Sequence, residues 1–277
     1  MDTFVDTDWL AARREDVVLA DVRWYADGRS GRAAYEAGHI PGAVYVDLDE
    51  VLSAPASDAE GRHPLPTPER FADGLGEVGI GDSDTVIAYD DDGGVIAARL
   101  VWMLRVTGHD AALLDGGLDA WSGELDEGPP PSVQRAAFTP VPWPPDRLAS
   151  IDDVAEASGA ARGPVLIDGR DRARFAGGPD SLDPRSGHIP GAISVPVREH
   201  LGPDGRVASA SELRERFAAA GIGQDSTVIS YCGSGVTACY NLLAMNHAGL
   251  GPGRLYPGSW SQWSRDRSRP IETAERS

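Results

Sequence analysis

Along the chain, short β-branched apolar runs alternate with longer stretches whose apolar residues recur every three or four positions. In the first half VVLADV, AVYVDL, TVIAYD and AALLDG read as strands, while TPERFADGLGEVG and GVIAARLVWMLRVTG carry the helical period. In the second half TVISY (227–231) is apolar and β-branched enough for a buried strand, and ACYNLLAMNHAG (238–249) reads as a helix. Apolar strands separated by helices predict an α/β fold with a mainly parallel sheet and helices on both faces, because parallel neighbours need crossover connections. In such sheets ligands bind just beyond the carboxyl ends of strands.

The pattern occurs twice. YEAGHIPGAVYVD (35–47) returns as RSGHIPGAISVPV (185–197), placing His39 and His188 149 residues apart. VVLADVR (17–23) returns as PVLIDGR (164–170), so Asp21 and Asp168 correspond. TVIAYDDDGG (85–94) returns as TVISYCGSGV (227–236), and LLDGGLDAW (113–121) as RLYPGSWSQW (254–263), both at an offset of 142. Four blocks in one order imply a duplicated domain. Between the copies GPPPSVQRAAFTPVPWPPDR (128–147) is too rich in proline for a helix or central strand and reads as an extended linker. The expected organisation is an N-terminal domain over 1–127, the linker over 128–147 and a C-terminal domain over 148–277. The polar, aperiodic end, SRDRSRPIETAERS, is expected to be a loosely held tail.

A length of 277 residues with 41% hydrophobic and 25% charged residues suits two globular domains. The net charge of −18 argues against nucleic acid or an anionic membrane surface as a partner. It also means that an anionic small substrate needs a local cationic patch. There is no signal-peptide pattern at the start and no 18-residue apolar run, so the expected location is the cytoplasm. The two cysteines, Cys232 and Cys239, form neither a disulfide framework nor a zinc-knuckle spacing, and reduced thiols are expected.

Cys232 lies in YCGSGVTAC, in the turn from the TVISY strand to the following helix. A thiol becomes a strong nucleophile only as its thiolate, which fixed positive potential favours. Glycines let successive backbone amides of Gly233, Ser234, Gly235, Val236 and Thr237 turn inward, and the start of the helix adds its unpaired donors. Such a cradle suits an anion held on sulfur. The first copy has Asp90 where the second has Cys232, so it carries no sulfur nucleophile and reads as non-catalytic; its DDDGG stretch reads as a solvated acidic turn. Cys239, within the helical pattern, reads as a packed side chain. The recurring His39 and His188 sit in tight turns and read as backbone-positioning residues rather than metal ligands.

The tandem copies, the paired GHIPGA blocks, the D-x-R strand ends and the CGSGVTA loop together resemble the two-domain rhodanese family of sulfurtransferases. The loop is most similar to that of members that use 3-mercaptopyruvate. The resemblance covers roughly residues 5–265. It implies two rhodanese-like domains, a catalytic second domain, and a Cys232 persulfide formed from 3-mercaptopyruvate with release of pyruvate. Ser234, His63 of the HPLP segment and Asp49 of VDLDE would form a relay that polarises the substrate and moves a proton. Arg174 and Arg185 would clamp the substrate carboxylate, for which arginine's planar fork is suited. Arg23 and Arg170 would brace the sheet edge through their aspartates. The implied acceptor is a thiol, such as thioredoxin or a small thiol, or cyanide in an assay, and no cofactor or metal is implied.

Members that use thiosulfate tend to carry C-R-K-G-V-T, basic enough for a dianion; here Gly233 and Ser234 take the basic positions. Thiosulfate sulfur transfer through the same cysteine is the alternative reading. A cysteine phosphatase would need arginine six residues after the cysteine, where this chain has Ala238. A non-catalytic sulfur carrier would store persulfide without turnover. The fingerprints G-x-G-x-x-G and G-x4-G-K-[ST] are absent, so nothing points to a nucleotide.

Overall fold

The computed structural model describes residues 1–160 and 163–273. The chain divides into two compact units. The first comprises Met1–Ala54, Leu65–Trp143 and Leu201–Val207; the second comprises Pro55–Pro64, Pro144–His200 and Ala208–Ser277. This division departs from a single cut at the proline-rich linker in two places. Residues 55–64 belong with the second unit and 201–207 with the first.

In the first unit, strands β1 (Phe4–Val5), β2 (Val17–Asp21), β3 (Val44–Tyr45), β4 (Thr85–Tyr89) and β5 (Ala111–Leu114) form one sheet in the order β1-β5-β4-β2-β3. Every neighbouring pair in it is parallel. The helices are α1 (Thr7–Ala11), α2 (Gly31–Ala37), α3 (Pro68–Glu77) and α4 (Ala98–Val106). Thr67 caps α3, its hydroxyl taking the Arg70 N–H, and Pro68 opens the helix with a preset φ. The sequence pattern runs helix back to residue 94 in the GVIAARL stretch, but α4 begins only at Ala98. The preceding residues are spent instead on a tight turn around Asp90.

The second unit repeats the plan with α5 (Ile151–Ala157), β6 (Val165–Asp168), α6 (Arg172–Phe175), β7 (Ile193–Ser194), α7 (Ala210–Ala219), β8 (Val228–Tyr231), α8 (Ala238–His247), β9 (Arg254–Leu255) and α9 (Ser259–Trp263). Its sheet, again parallel throughout, runs β7-β6-β8-β9. The parallel bridge of Leu148 with Leu255 stands where β1 pairs with β5 in the first unit. Ser150 with Asp153 and Ser209 with Glu212 make reciprocal capping boxes at the starts of α5 and α7. Buried Leu166, Phe175, Ile229, Tyr231, Trp260 and Trp263 form the core of this unit.

The repeated blocks have one physical job in each copy. Arg23 grips Asp21 (Nη2 to Oδ2, 2.8 Å) and donates to Gly38 O (2.7 Å); Arg170 grips Asp168 (2.6 Å) and donates to Gly187 O (2.7 Å). Both ion pairs are buried and tie a strand end to the glycine before the GHIPGA histidine. Each histidine donates from Nδ1 to a carbonyl, His39 to Tyr35 and His188 to Phe175, and stacks on that residue's ring at 3.8 and 3.7 Å between centroids. The tyrosine hydroxyls of Tyr89 and Tyr231, at the ends of the two central strands, accept the amides of Ile40 and Ile189.

The chain end is held more firmly than its polarity suggests. Glu272 exchanges backbone hydrogen bonds with His188 at 2.8 and 3.0 Å, and the Trp263 indole donates to Pro270 O at 2.9 Å. Backbone pairing, which side-chain polarity does not report, fixes the segment; residues 274–277 lie outside the described residues.

Candidate active site

The chain passes from β6 to β7 on one side of the second sheet and from β8 to β9 on the other, so strand order reverses between β6 and β8. Ligands of open parallel sheets settle in the crevice at such a reversal. Cys232 follows directly on β8 there, 2% exposed.

The loop from Cys232 to α8 is shaped from behind by the Tyr256–Ser261 segment. Cys232 N–H donates to Ser259 Oγ (3.1 Å), Trp260 N–H to Cys232 O (3.0 Å) and Ser261 N–H to Gly233 O (2.8 Å). Ser259 has a φ of 52°, unusual for a residue with a side chain, and its hydroxyl donates to Tyr256 O at 2.9 Å. Gly235 has a φ of 78°, and a Cβ placed there would lie 2.4 Å from Pro257 O. Only glycine fits. The result is a Gly235 N–H aimed at Cys232 Sγ, 3.2 Å away. Among the described residues, no protein acceptor faces the amides of Ser234, Val236 or Thr237. Cys239 is fully buried in α8, its thiol directed to Gly235 O at 3.4 Å.

In the first unit the equivalent loop folds around a carboxylate of its own. Asp90, at the position of Cys232, is completely buried, and its carboxylate accepts four backbone N–H groups. They come from Asp92 and Gly94 on one oxygen (2.8 and 2.7 Å) and Ile96 and Ala97 on the other (2.7 and 2.8 Å). Burial pushes the Asp90 carboxyl up to about 6 against the opposing pull of those amides. The DDDGG stretch is therefore not simply a solvated acidic turn, because one of its carboxylates folds inward and fills the cradle. The same loop architecture holds an anion in one copy and presents a thiol in the other.

Segment 55–64 brings two side chains to the second unit's loop. His63 Nδ1 and Ser234 Oγ share a hydrogen bond of 2.7 Å, with both residues buried. Arg62 is anchored through its main chain, its N–H donating to Ser261 Oγ (3.0 Å), the same serine whose amide holds Gly233. Its guanidinium pairs with buried Asp183 and donates to Leu182 O (3.2 Å). Arg174, at the end of α6, pairs with Asp180 (2.8 Å) and with Asp183 (3.4 Å). Burial raises the Asp183 carboxyl despite the Arg62 charge, while Asp180 sits below its usual value because the Leu182 amide and Arg174 outweigh its burial. A Cβ on Gly233 would lie 3.0 Å from Arg62 Nη2, 3.5 Å from Arg174 Nη2 and 3.6 Å from Arg174 Nη1. Two guanidinium groups thus converge on the loop beside the thiol.

Of the residues expected from the sequence, Cys232, Gly233, Ser234, Gly235, Val236, Thr237, His63 and Arg174 come together in the second unit. Asp49 lies in the first unit, where its carboxylate accepts the Trp24 indole N–H at 3.0 Å. Arg185 is a correction. Its three guanidinium nitrogens donate to the carbonyls of Ser264 (2.7 Å), Arg269 (2.9 Å), Trp263 (3.0 Å) and Asp266 (2.6 Å). It satisfies carbonyls left over at and beyond the C-terminal end of α9 and is not offered to a substrate. The residue that sequence reasoning missed is Arg62. Its signal was adjacency to His63 in GRHPLP, since neighbours on a short tethered segment reach the same place.

Residues 6–124 and 150–266 each match the rhodanese-like domain, and the chain belongs to the rhodanese family. Among its relatives, a probable 3-mercaptopyruvate sulfurtransferase of Pseudomonas aeruginosa is 40% identical, with 96% of both chains covered. A putative thiosulfate sulfurtransferase of Mycobacterium tuberculosis, SseB, is 37% identical over 93% of this chain and 91% of that one. The crystal structure of the 3-mercaptopyruvate enzyme SseA from Escherichia coli superposes with a TM-score of 0.82 at 35% identity, covering 94% of this chain and all (100%) of that one.

Proposed function

We propose that the protein is a sulfurtransferase that takes sulfur from 3-mercaptopyruvate onto Cys232 and passes it to a thiol. The observation that carries this reading is the Cys232 sulfur in an amide-lined loop with the Ser234–His63 pair beside it. In the first half-reaction the Cys232 thiolate attacks the donor sulfur. A sulfur–sulfur bond forms as the carbon–sulfur bond breaks, and its electron pair passes into the enolate of pyruvate. Ser234, coupled to His63, delivers a proton to that enolate, and the amides of Gly235, Val236 and Thr237 hold the anionic outer sulfur. In the second half-reaction an acceptor thiolate, from thioredoxin or a small thiol, takes the outer sulfur and frees the Cys232 thiolate.

The cluster around Gly233 favours this donor over thiosulfate. Arg62 and Arg174 are matched by Asp180 and Asp183, leaving directional donors with no surplus positive charge. Directional donors suit a carboxylate fork, whereas a dianion calls for uncompensated charge. The relay's proposed third member, Asp49, is tested by Asp49→Asn, expected to lower turnover without altering alkylation of Cys232. Two free cysteines fit a reducing compartment, and the proposed location is the cytoplasm. Among the described residues no helix is long and apolar enough to cross a membrane. Mass spectrometry after incubation with 3-mercaptopyruvate should show one added sulfur on Cys232. Protein that forms no such adduct, or that reacts faster with thiosulfate, refutes the assignment.

A further inference from the structure

The geometry points to Arg62 as the second substrate-carboxylate ligand, acting with Arg174 over Gly233 and setting the preference for a carboxylate-bearing donor. The inference rests on the sulfurtransferase reading and adds a residue to that site. Arg62 has the guanidinium nitrogen nearest the Gly233 position, 3.0 Å from where a Cβ would stand, so glycine there leaves room for it. The Asp183 carboxylate and Leu182 carbonyl engage Arg62 Nη1, and Asp180 engages Arg174 Nε and Nη2. Among the described residues no protein acceptor takes Arg62 Nη2 or Arg174 Nη1. Both of these nitrogens lie within 3.6 Å of the same point above the loop.

The two aspartates thus act as braces. They fix each guanidinium by one side and leave the other side's donors facing the loop, an arrangement that receives a planar carboxylate with little loss of side-chain freedom. Arg185 is fully committed to main-chain carbonyls, so the chain's second fork comes from segment 55–64, one residue before the relay histidine. Carboxylate recognition and proton transfer are thereby carried on consecutive residues.

The test compares wild type with Arg62→Met and with the charge-balanced Arg62→Met/Asp183→Asn, which removes the buried carboxylate that Arg62 neutralises and that would otherwise keep only the 3.4 Å pairing with Arg174. Two readouts are followed: KM and kcat with 3-mercaptopyruvate, and the ratio of Cys232 alkylation rates by iodoacetate and iodoacetamide, which differ by a carboxylate. Both variants should raise KM and lower the iodoacetate-to-iodoacetamide ratio by about 10- to 100-fold, the worth of a charge-assisted hydrogen bond, with kcat changed less than about threefold. A double variant with wild-type KM and alkylation ratio overturns the proposal, because Arg62 would then serve only to neutralise Asp183. Failure of every form, wild type included, to turn over 3-mercaptopyruvate refutes the donor assignment, and the alkylation ratio still decides the role of Arg62.

Discussion

Gly235→Ala places a methyl group where the loop has no room. The new Cβ would stand 2.4 Å from Pro257 O and 3.0 Å from Pro257 C and Cα, all backbone atoms that cannot swing aside. The φ of 78° adds a left-handed strain of about 1–2 kcal/mol for a residue with a side chain. Relief requires the loop to move away from Pro257, which carries the Gly235 N–H off the Cys232 sulfur it now approaches at 3.2 Å. A hydrogen bond to a charged group is worth about 1.5–3 kcal/mol, so losing it should slow the reaction of the sulfur about 10- to 100-fold. The assay is second-order alkylation of Cys232 by iodoacetamide at neutral pH, with the thermal midpoint followed in parallel. Gly233→Ala is the internal control. Its Cβ meets only side-chain nitrogens of Arg62 and Arg174, at 3.0 Å or more, and no backbone, so the loop need not move and the alkylation rate should stay within about threefold of wild type. A Gly235→Ala protein that folds normally and alkylates at the wild-type rate would refute the claim that loop amides activate the sulfur.

Further outcomes are expected elsewhere. Ser234→Ala, which removes the 2.7 Å bond to His63, should lower kcat for 3-mercaptopyruvate by about 10- to 1,000-fold while leaving iodoacetamide alkylation nearly intact, as read by steady-state pyruvate release. His200 is buried, donates from Nε2 to Asn241 Oδ1 at 2.8 Å, and its ring is held down to about 4 by burial. Its folded-state value lies below the unfolded one, so the unfolded chain binds the extra proton between pH 6.5 and 4. Stability should therefore fall by about 3 kcal/mol as pH drops through that window, and His200→Gln should flatten this part of the urea-unfolding profile. Arg170→Met leaves Asp168 buried and unpaired and should cost about 3–5 kcal/mol in the same measurement.

The architecture was legible because it is written in periodicity and duplication. Parallel strands, the strand–loop–helix around Cys232 and the paired D-x-R and GHIPGA blocks are local patterns whose geometry follows from local chemistry. What stayed hidden depends on long-range placement. β1 has two residues and so no period to detect, and Leu148 completes the second sheet by one bridge. Arg185 occupies a reasonable sequence position for a substrate ligand, but four carbonyls from residues 263–269 consume its donors. Arg62 reaches the loop only because a segment of the chain's first half packs with the second unit. Asp90 looks like one more solvated carboxylate until the four inward amides are seen.

The strap formed by residues 55–64 has a consequence at the level of the gene. Cutting the coding sequence at the proline-rich connector would strand His63 and Arg62 on the polypeptide that lacks the nucleophile. The severed C-terminal piece would keep its sulfur-bearing loop yet lose the Ser234–His63 hydrogen bond and one of the two guanidinium groups that converge on Gly233. Duplication made two look-alike modules, but the exchanged stretches mean that neither corresponds to one unbroken length of coding sequence that could be inherited or transplanted alone.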